Sequence, residues 1–242
     1  MEASAKKLGH TLEVIFSCDC QLKFDGKTKL LVKNKVPKDV NILITKANFR
    51  GIEPYKHTGL IRQFELAGIP VMNNQHAVAR AKDKVSTFEV LSEKKVPMPK
   101  TFGVRNAEYI DDVVKSIGKF PIILKAIQGS QGAGVSIIES KRALKSIIQL
   151  LIEGSESAPL IIQEYVEESS GKDVRIFIVG NKIVAAMERV ATEQGEFRSN
   201  FKLGGTVRIA ELTKKERKVA LDAAKACGLD FAGVDVIRTK NG

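Results

Sequence analysis

The chain has 242 residues, 43% of them hydrophobic and 28% charged, which is apolar enough to bury a core and excludes a disordered or fibrous chain. Thirty-nine Lys and Arg stand against 28 Asp and Glu, for a formal net charge of +11. No apolar run approaches the ~18 residues of a membrane helix. The opening MEASAKKLGH lacks the apolar core of a signal peptide. Cys18, Cys20 and Cys227 make neither a disulfide framework nor a good zinc set beside three scattered histidines. A cytoplasmic protein of one large or two smaller domains is expected. No run of Lys or Arg exceeds two, Trp is absent and Tyr55, Tyr109 and Tyr165 are isolated, so no stacking platform for nucleic acid is visible. The charge fits solvated basic faces, or an anionic small molecule or acidic protein as partner.

Residues 1–10 read as the end of a helix, stopped at Gly9. TLEVIF (11–16) has a strand pattern, and QLKFDGKTKLLVK reads as two strands around Asp25-Gly26, a hairpin signal. NILITK (41–46) is a further strand, and the spacing of Leu60, Ile61, Phe64 and Leu66 predicts a helix over 57–67. A helix is expected over 74–94, a strand at PKTFGV and a helix over 107–118. FPIILKAI and VSIIES read as two strands joined by the glycine-rich loop GSQGAG, followed by a helix over 140–152. PLIIQEYV, DVRIFIVG and NKIVAAMERV are three successive strands. After a polar stretch come TVRIAEL, a helix over 213–226 and the strand FAGVDVIRTK, which runs into Asn241-Gly242, a favoured hairpin dipeptide. A turn without its returning strand suggests a fragment. The expected division is 1–72, a partial N-terminal α/β domain; 73–158, a subdomain carrying the glycine loop; and 159–242, an incomplete C-terminal subdomain.

Some of these residues invite chemistry. Glycines let backbone N–H groups approach phosphate oxygens, but GSQGAG is neither a Walker loop nor a dinucleotide fingerprint. Lys125 lies three residues before that loop, in an otherwise apolar strand where an ammonium is costly to bury without an anion. A phosphate is one partner; a strand-edge lysine reaching water is the competing reading. Asp235 interrupts the apolar FAGVDVI, where a buried carboxylate wants a magnesium-like cation or a salt bridge. Glu164-Tyr165 ends one strand and Asp173 starts the next, a place where backbone could meet an adenine edge and a carboxylate ribose hydroxyls. An ordinary charged turn would look the same. Arg175, Arg189 and Arg198 suit phosphate or carboxylate recognition, though any one of them could be a surface arginine. His10, His57 and His76 show no ligand spacing.

Taken in order, HTGLIRQFELAGIPVMNNQHAVARAKDK, PIILKAIQGSQGAGVSI, IIQEYVEESSGKDVRIFIVG, AAMERVATEQGEFRSN and FAGVDVIR resemble the RimK-type ATP-grasp ligases over essentially the whole chain, from Gly9 to Gly242. The likeness is greatest to bacterial ligases that add glutamate to the C-terminus of a small-subunit ribosomal protein. The resemblance implies an α+β ATP-grasp fold, a partial N-terminal domain, and an ATP-dependent, ADP-forming union of a carboxylate with an amine through an acyl phosphate. It implies ATP and Mg2+ (or Mn2+), glutamate as substrate, an acidic or carboxylate-bearing protein acceptor and a homo-oligomer. By this likeness Lys84 and Lys125 are the phosphate lysines, and Gly129, Ser130, Gly132 and Gly134 belong to the loop over the triphosphate. Glu164 and Tyr165 match the adenine linker and Asp173 the ribose carboxylate. Arg198, Ser199 and Asn200 match a further nucleotide segment, Asp235 the first metal ligand, and Arg175, Arg189 and Arg198 the catalytic arginines. The family's opening strand and its Glu-x-Asn returning strand are absent from the sequence, so a chain that folds but binds magnesium poorly and turns over slowly or not at all is expected. The same chemistry on a cofactor or carrier-protein acceptor is the sister reading. A non-catalytic basic nucleic-acid-binding protein is the alternative of another class.

Overall fold

A computed structural model describes residues 1–24, 28–46, 54–126, 134–153, 160–192 and 205–240. The chain separates into two compact units, Met1–His76 and Ala77–Gly242.

In the first unit, α1 (Glu2–Lys7) ends before Gly9, whose φ of 77° is a conformation only glycine takes cheaply. β1 (Cys20–Phe24) and β2 (Thr28–Val32) form the expected antiparallel hairpin, with Phe24 opposite Thr28; its Asp25-Gly26 turn lies outside the described residues. NILITK yields β3 (Leu43–Ile44), which pairs in parallel with β4 (Val71–Met72). Between them, α2 (Pro54–Leu66) begins earlier than its apolar spacing indicates. Leu30, Phe64 and Ile69 form the buried centre of the unit, with Ile15, Val32, Leu43 and Leu60 packed around them. TLEVIF is not a strand: residues 11–16 carry no ladder. Alternation supplies a face to bury, but a strand also needs a neighbour for its backbone groups; here Ile15 packs into the core while Val14 and Phe16 are exposed.

Two helices lead into the second unit where the sequence suggests one, α3 (Gln75–Lys82) and α4 (Lys84–Glu93). The break is Asp83, whose extended backbone and Oδ1, accepting from the Ser86 N–H at 2.7 Å, start a new helix. Next come β5 (Thr101–Val104), α5 (Ile110–Ile117), β6 (Ile122–Ala126), β7 (Val135–Ile138), α6 (Lys141–Glu153) and β8 (Leu160–Glu164). The strands pair antiparallel in the order β5-β8-β6-β7. Side chains alternate across a strand, so Ile122, Leu124 and Ile162 turn to one face. There they pack with Ile110, Val113, Ile117, Leu144 and Ile148 of α5 and α6. Ile123, Lys125, Ile161 and Gln163 share the other face.

β9 (Lys172–Val179), β10 (Lys182–Val190), β11 (Thr206–Ile209), α7 (Lys214–Cys227) and β12 (Phe231–Val236) complete the unit. Their sheet runs β11-β10-β9-β12. Val174, Ile176 and Ile178 pack against Ala220 and Ala224 of α7. The small alanines let the helix sit close to the strand. α7 opens on a capping box, the Thr213 hydroxyl accepting from the Glu216 N–H and the Glu216 carboxylate from the Thr213 N–H. It closes at Gly228, in the left-handed conformation. FAGVDVIRTK is extended only to Val236, so the strand stops short of Asn241-Gly242. Past it, the Arg238 N–H donates to Ser169 Oγ at 2.8 Å instead of continuing the ladder. Among the described residues no helix is long and apolar enough to cross a membrane.

Thr213→Ala removes one half of the capping box, at a cost of about 1 kcal/mol. A fall in Tm of about 2–4 °C is expected for a chain of this size, measured by thermal denaturation monitored by circular dichroism.

Candidate functional site

The site face of the first sheet carries one charged residue in an apolar setting. Lys125 lies on β6 opposite Val135 of β7 and Ile161 of β8. Its Nζ donates to Gln163 Oε1 at 2.7 Å, and Gln163 Nε2 donates to Thr101 Oγ1 at 2.7 Å. Thr101 Oγ1 in turn donates to the Pro99 carbonyl at 2.7 Å. Gln163 is buried at 7% exposure. The strand reading treated Lys125 as needing an anion; its hydrogen-bond partner among the described residues is instead a neutral amide.

Lys84, the first residue of α4, lies near enough for its charge to act on Lys125. Burial first, and then the charge of Lys84, lower the Lys125 pKa to about 8. Burial also lowers the Lys84 pKa, against the opposing pull of Asp83. Both ammonium groups are thus partly withdrawn from water, and the charge of Lys84 acts on Lys125. That arrangement favours a polyanion over any single small counter-charge. α4 also packs on α7, so the helix that carries Lys84 is anchored on the second sheet's core.

At the end of β8 the Lys100 N–H donates to Glu164 Oε1 at 2.9 Å, and the Glu164 N–H donates to the Lys100 carbonyl at 2.9 Å. One carboxylate oxygen of Glu164 is therefore engaged by Lys100, the residue whose carbonyl accepts from the Glu164 N–H. Tyr165 follows, half-buried. Gly134, just before β7, has φ 77°, which makes glycine the undemanding choice at that end of the loop. Gly129, Ser130 and Gly132 lie outside the described residues, as do Arg198, Ser199 and Asn200.

A second cluster lies on the face of β9, β10 and β12 away from α7. Asp173 and Arg189 are cross-strand partners. Arg189 Nε donates to Asp173 Oδ1 at 2.7 Å and its Nη2 to Asp173 Oδ2, a two-pronged pair in which both side chains are mostly buried. The Asp173 hydrogen bond is the largest cause of a raised Arg189 pKa. Arg189 Nη2 also reaches Asp235 Oδ1 at 2.8 Å, and Arg175 Nη1 lies 2.9 Å from both Asp235 oxygens. The result is a ladder, Asp173–Arg189–Asp235–Arg175, running across three strands. Asp235 is not the buried carboxylate its apolar neighbours suggest, since its side chain is 47% exposed. Its neighbours Ala232, Val234 and Val236 belong with the α7 core, and alternation turns Asp235 the other way. Arg175 also lies over the Phe177 ring at 5.7 Å. A Cβ at Gly233 would fall 2.4 Å from Arg175 Nε, so glycine there leaves room for the guanidinium.

Sequence reasoning passed over Gln163 and Thr101. The available signal was a polar residue inside the apolar run PLIIQ, diagonal to Lys125 once the strands pair. It also passed over the core-side ion network. Arg208 hydrogen-bonds Glu188 and is the largest cause of its lowered pKa. Arg238 donates to Glu216 at 2.6 Å and to the Glu211 carbonyl at 2.9 Å. That network ties β10, α7 and the segment after β12 together.

Lys125 binds fewer protons in the fold at pH 8–10 than in the unfolded chain, whose lysines titrate near 10.5. The Lys125 contribution to stability therefore rises with pH across that window, while the raised thiols of Cys20 and Cys227 act in the opposite direction. The change in stability between pH 7.5 and pH 10, measured by urea denaturation without ligand, should be more positive in the wild type than in Lys125→Met, which keeps only the Lys84 and thiol contributions.

A family model of the RimK-like ATP-grasp domain matches residues 81–242. A relative named "Probable alpha-L-glutamate ligase", from Vibrio atlanticus (strain LGP32), is 36% identical over 245 residues, covering 100% of this chain and 79% of its own length. The ATP-grasp ligase PsnB, solved with a phosphomimetic variant of its minimal precursor, Mg and ADP, superposes with a TM-score of 0.71 at 18% identity, covering 100% of this chain and 81% of its own. D-alanine–D-alanine ligase from Bacillus anthracis gives 0.63 at 19% identity, covering 84% and 67%. The fold is thus the ATP-grasp α+β architecture, and the non-catalytic nucleic-acid reading gives way to an ATP-dependent ligase. The chain belongs to the RimK-like ATP-grasp family.

Proposed function

We propose that this chain is an ADP-forming glutamate ligase that joins the glutamate amine to the C-terminal carboxylate of a peptide or protein, working in the cytoplasm. The observation that carries the reading is Lys125, poorly solvated near the end of β6 that leads into the glycine loop, with the charge of Lys84 acting on it. The glutamate assignment is supported by the name of the Vibrio atlanticus relative, and the peptide acceptor by the precursor bound to PsnB. A small-subunit ribosomal protein is the acceptor suggested by the resemblance of GEFRSN and its neighbouring motifs.

The proposed roles combine the family resemblance with the geometry of the described residues. Lys84 and Lys125 hold the triphosphate, and the loop around Gly129, Ser130, Gly132 and Gly134 covers it and excludes water. The backbone at Glu164 and Tyr165 meets the adenine edge; the Glu164 side chain, already engaged at Lys100, braces that strand end. Asp173 keeps lone pairs free for ribose hydroxyls while it accepts from Arg189. The acceptor carboxylate attacks the γ-phosphorus and ADP leaves, giving an acyl phosphate. The glutamate amine then attacks the acyl carbon, phosphate departs, and the amine loses its proton as the amide forms. Every species along that path is anionic, so Arg189, Arg175 and Arg198 stabilise the developing charge.

The ladder also bears on the metal. Among the described residues no group of three or more His, Cys, Asp or Glu could hold an ion. Magnesium commonly takes one or two carboxylates together with substrate phosphates and water, and Asp235, exposed on the site face, fits that kind of ligand. Mg2+ (or Mn2+) would neutralise phosphate charge there. Until it binds, Arg175 and Arg189 neutralise Asp235.

Incubation with ATP, Mg2+, radiolabelled glutamate and a peptide bearing a free C-terminus should transfer label, with one ADP per glutamate. The same peptide with an amidated C-terminus should take none. Label on the amidated peptide, or ADP formed without label on any carboxylate acceptor, would sink the assignment. A pterin or carrier-protein acceptor run alongside decides between acceptor classes.

A further inference from the structure

Gln163 uses both ends of its amide, and the direction of its hydrogen bonds is fixed. The Thr101 hydroxyl donates its single proton to the Pro99 carbonyl, so its lone pairs must accept from Gln163 Nε2. The Gln163 oxygen is thereby forced toward Lys125, at 2.7 Å from Nζ. A flipped amide would set NH2 against NH3+ and leave the Thr101 oxygen facing a carbonyl. With Gln163 buried at 7% exposure, water cannot easily substitute for either bond. The charged neighbour that acts on Lys125 among the described residues is Lys84, on α4 with Asp83 beside it. β5 and β7 contribute no ionisable side chain to this face. On β8, Glu164 follows Gln163 on the opposite face and accepts from the Lys100 N–H.

We propose that Gln163, locked by Thr101 and Pro99, is a positioning residue that clamps the Lys125 ammonium with a neutral partner and so leaves its full charge for the nucleotide phosphates. The proposal rests on the reading of Lys125 as a phosphate lysine. A carboxylate at position 163 would make a charge-assisted pair with Lys125, roughly twice as strong as a neutral hydrogen bond, and incoming phosphate would have to compete with it. An apolar residue would leave the ammonium free to rotate. Glutamine fixes its direction without cancelling its charge.

The test compares Gln163→Glu, Gln163→Leu, Thr101→Val and Thr101→Ser in the full chain. Lysine side-chain NMR follows the Lys125 titration without nucleotide, assigned with Lys125→Met, and calorimetry measures ATP binding. Gln163→Glu should raise the Lys125 titration by at least about one pH unit, because an adjacent opposite charge favours the charged form. It should weaken ATP binding at pH 7 about tenfold. Gln163→Leu should move the titration down, because a hydrogen bond to the charged form is lost. Thr101→Val should weaken ATP binding less than either, and Thr101→Ser should restore wild-type behaviour; this pair keeps the test open if a change at position 163 prevents folding. A Lys125 titration that stays put in every variant, with ATP binding intact, overturns the clamp and leaves the phosphate reading standing. So does Gln163→Glu binding ATP as tightly as wild type. Absence of ATP binding by the wild type, with titrations following the variants as above, overturns the phosphate reading and keeps the clamp.

Discussion

The arrangement depends most on the cost of holding two ammonium groups together with little water. Lys84 and Lys125 are placed by different devices, one at the first turn of a capped helix and the other in mid-strand. Both pKa values are driven down by burial. The chain tolerates this because each lysine is carried by an element whose other contacts are strong. β6 is sandwiched between β7 and β8 and packs its far face on α5 and α6, while α4 rests on α7. Polyphosphate would relieve the repulsion, so ligand binding and local stability are coupled.

The same division of labour recurs in the second sheet. One face of β9 is Val174, Ile176 and Ile178 against the alanines of α7; the other is Asp173, Arg175 and Phe177. The period of two that builds the core also delivers polar side chains to the site face at regular spacing. Asp173, Arg189, Asp235 and Arg175 then satisfy one another across three strands. Such a ladder holds its members in place and leaves no carboxylate without a guanidinium partner.

Much of this was readable from residues alone. The strand pairs on both sides of GSQGAG, the three strands from Leu160 to Val190 and the helix over 213–226 follow from periodicity and turn residues, and the structure carries them. Two kinds of feature escaped. Local patterns misled where tertiary context decides: TLEVIF alternates yet finds no strand partner, and Asp83 divides a stretch whose apolar spacing reads as continuous. Contacts between distant residues were also hidden. Nothing in PLIIQ announces that Gln163 will meet Lys125 and Thr101, because that depends on the register of β8 against both β6 and β5. For the same reason Asp235 looked buried: an apolar run does not say which of its faces the helix covers.

The central claim is that the Lys84–Lys125 pair is a nucleotide-phosphate site, and calorimetric titration of ATP into the wild-type chain and into Lys125→Ala tests it most directly. Hydrogen bonds to charged groups contribute about 1.5–3 kcal/mol, so the account predicts ATP binding by the wild type and a loss of about ten- to a hundredfold in the variant. Equal affinity in the two proteins would contradict it.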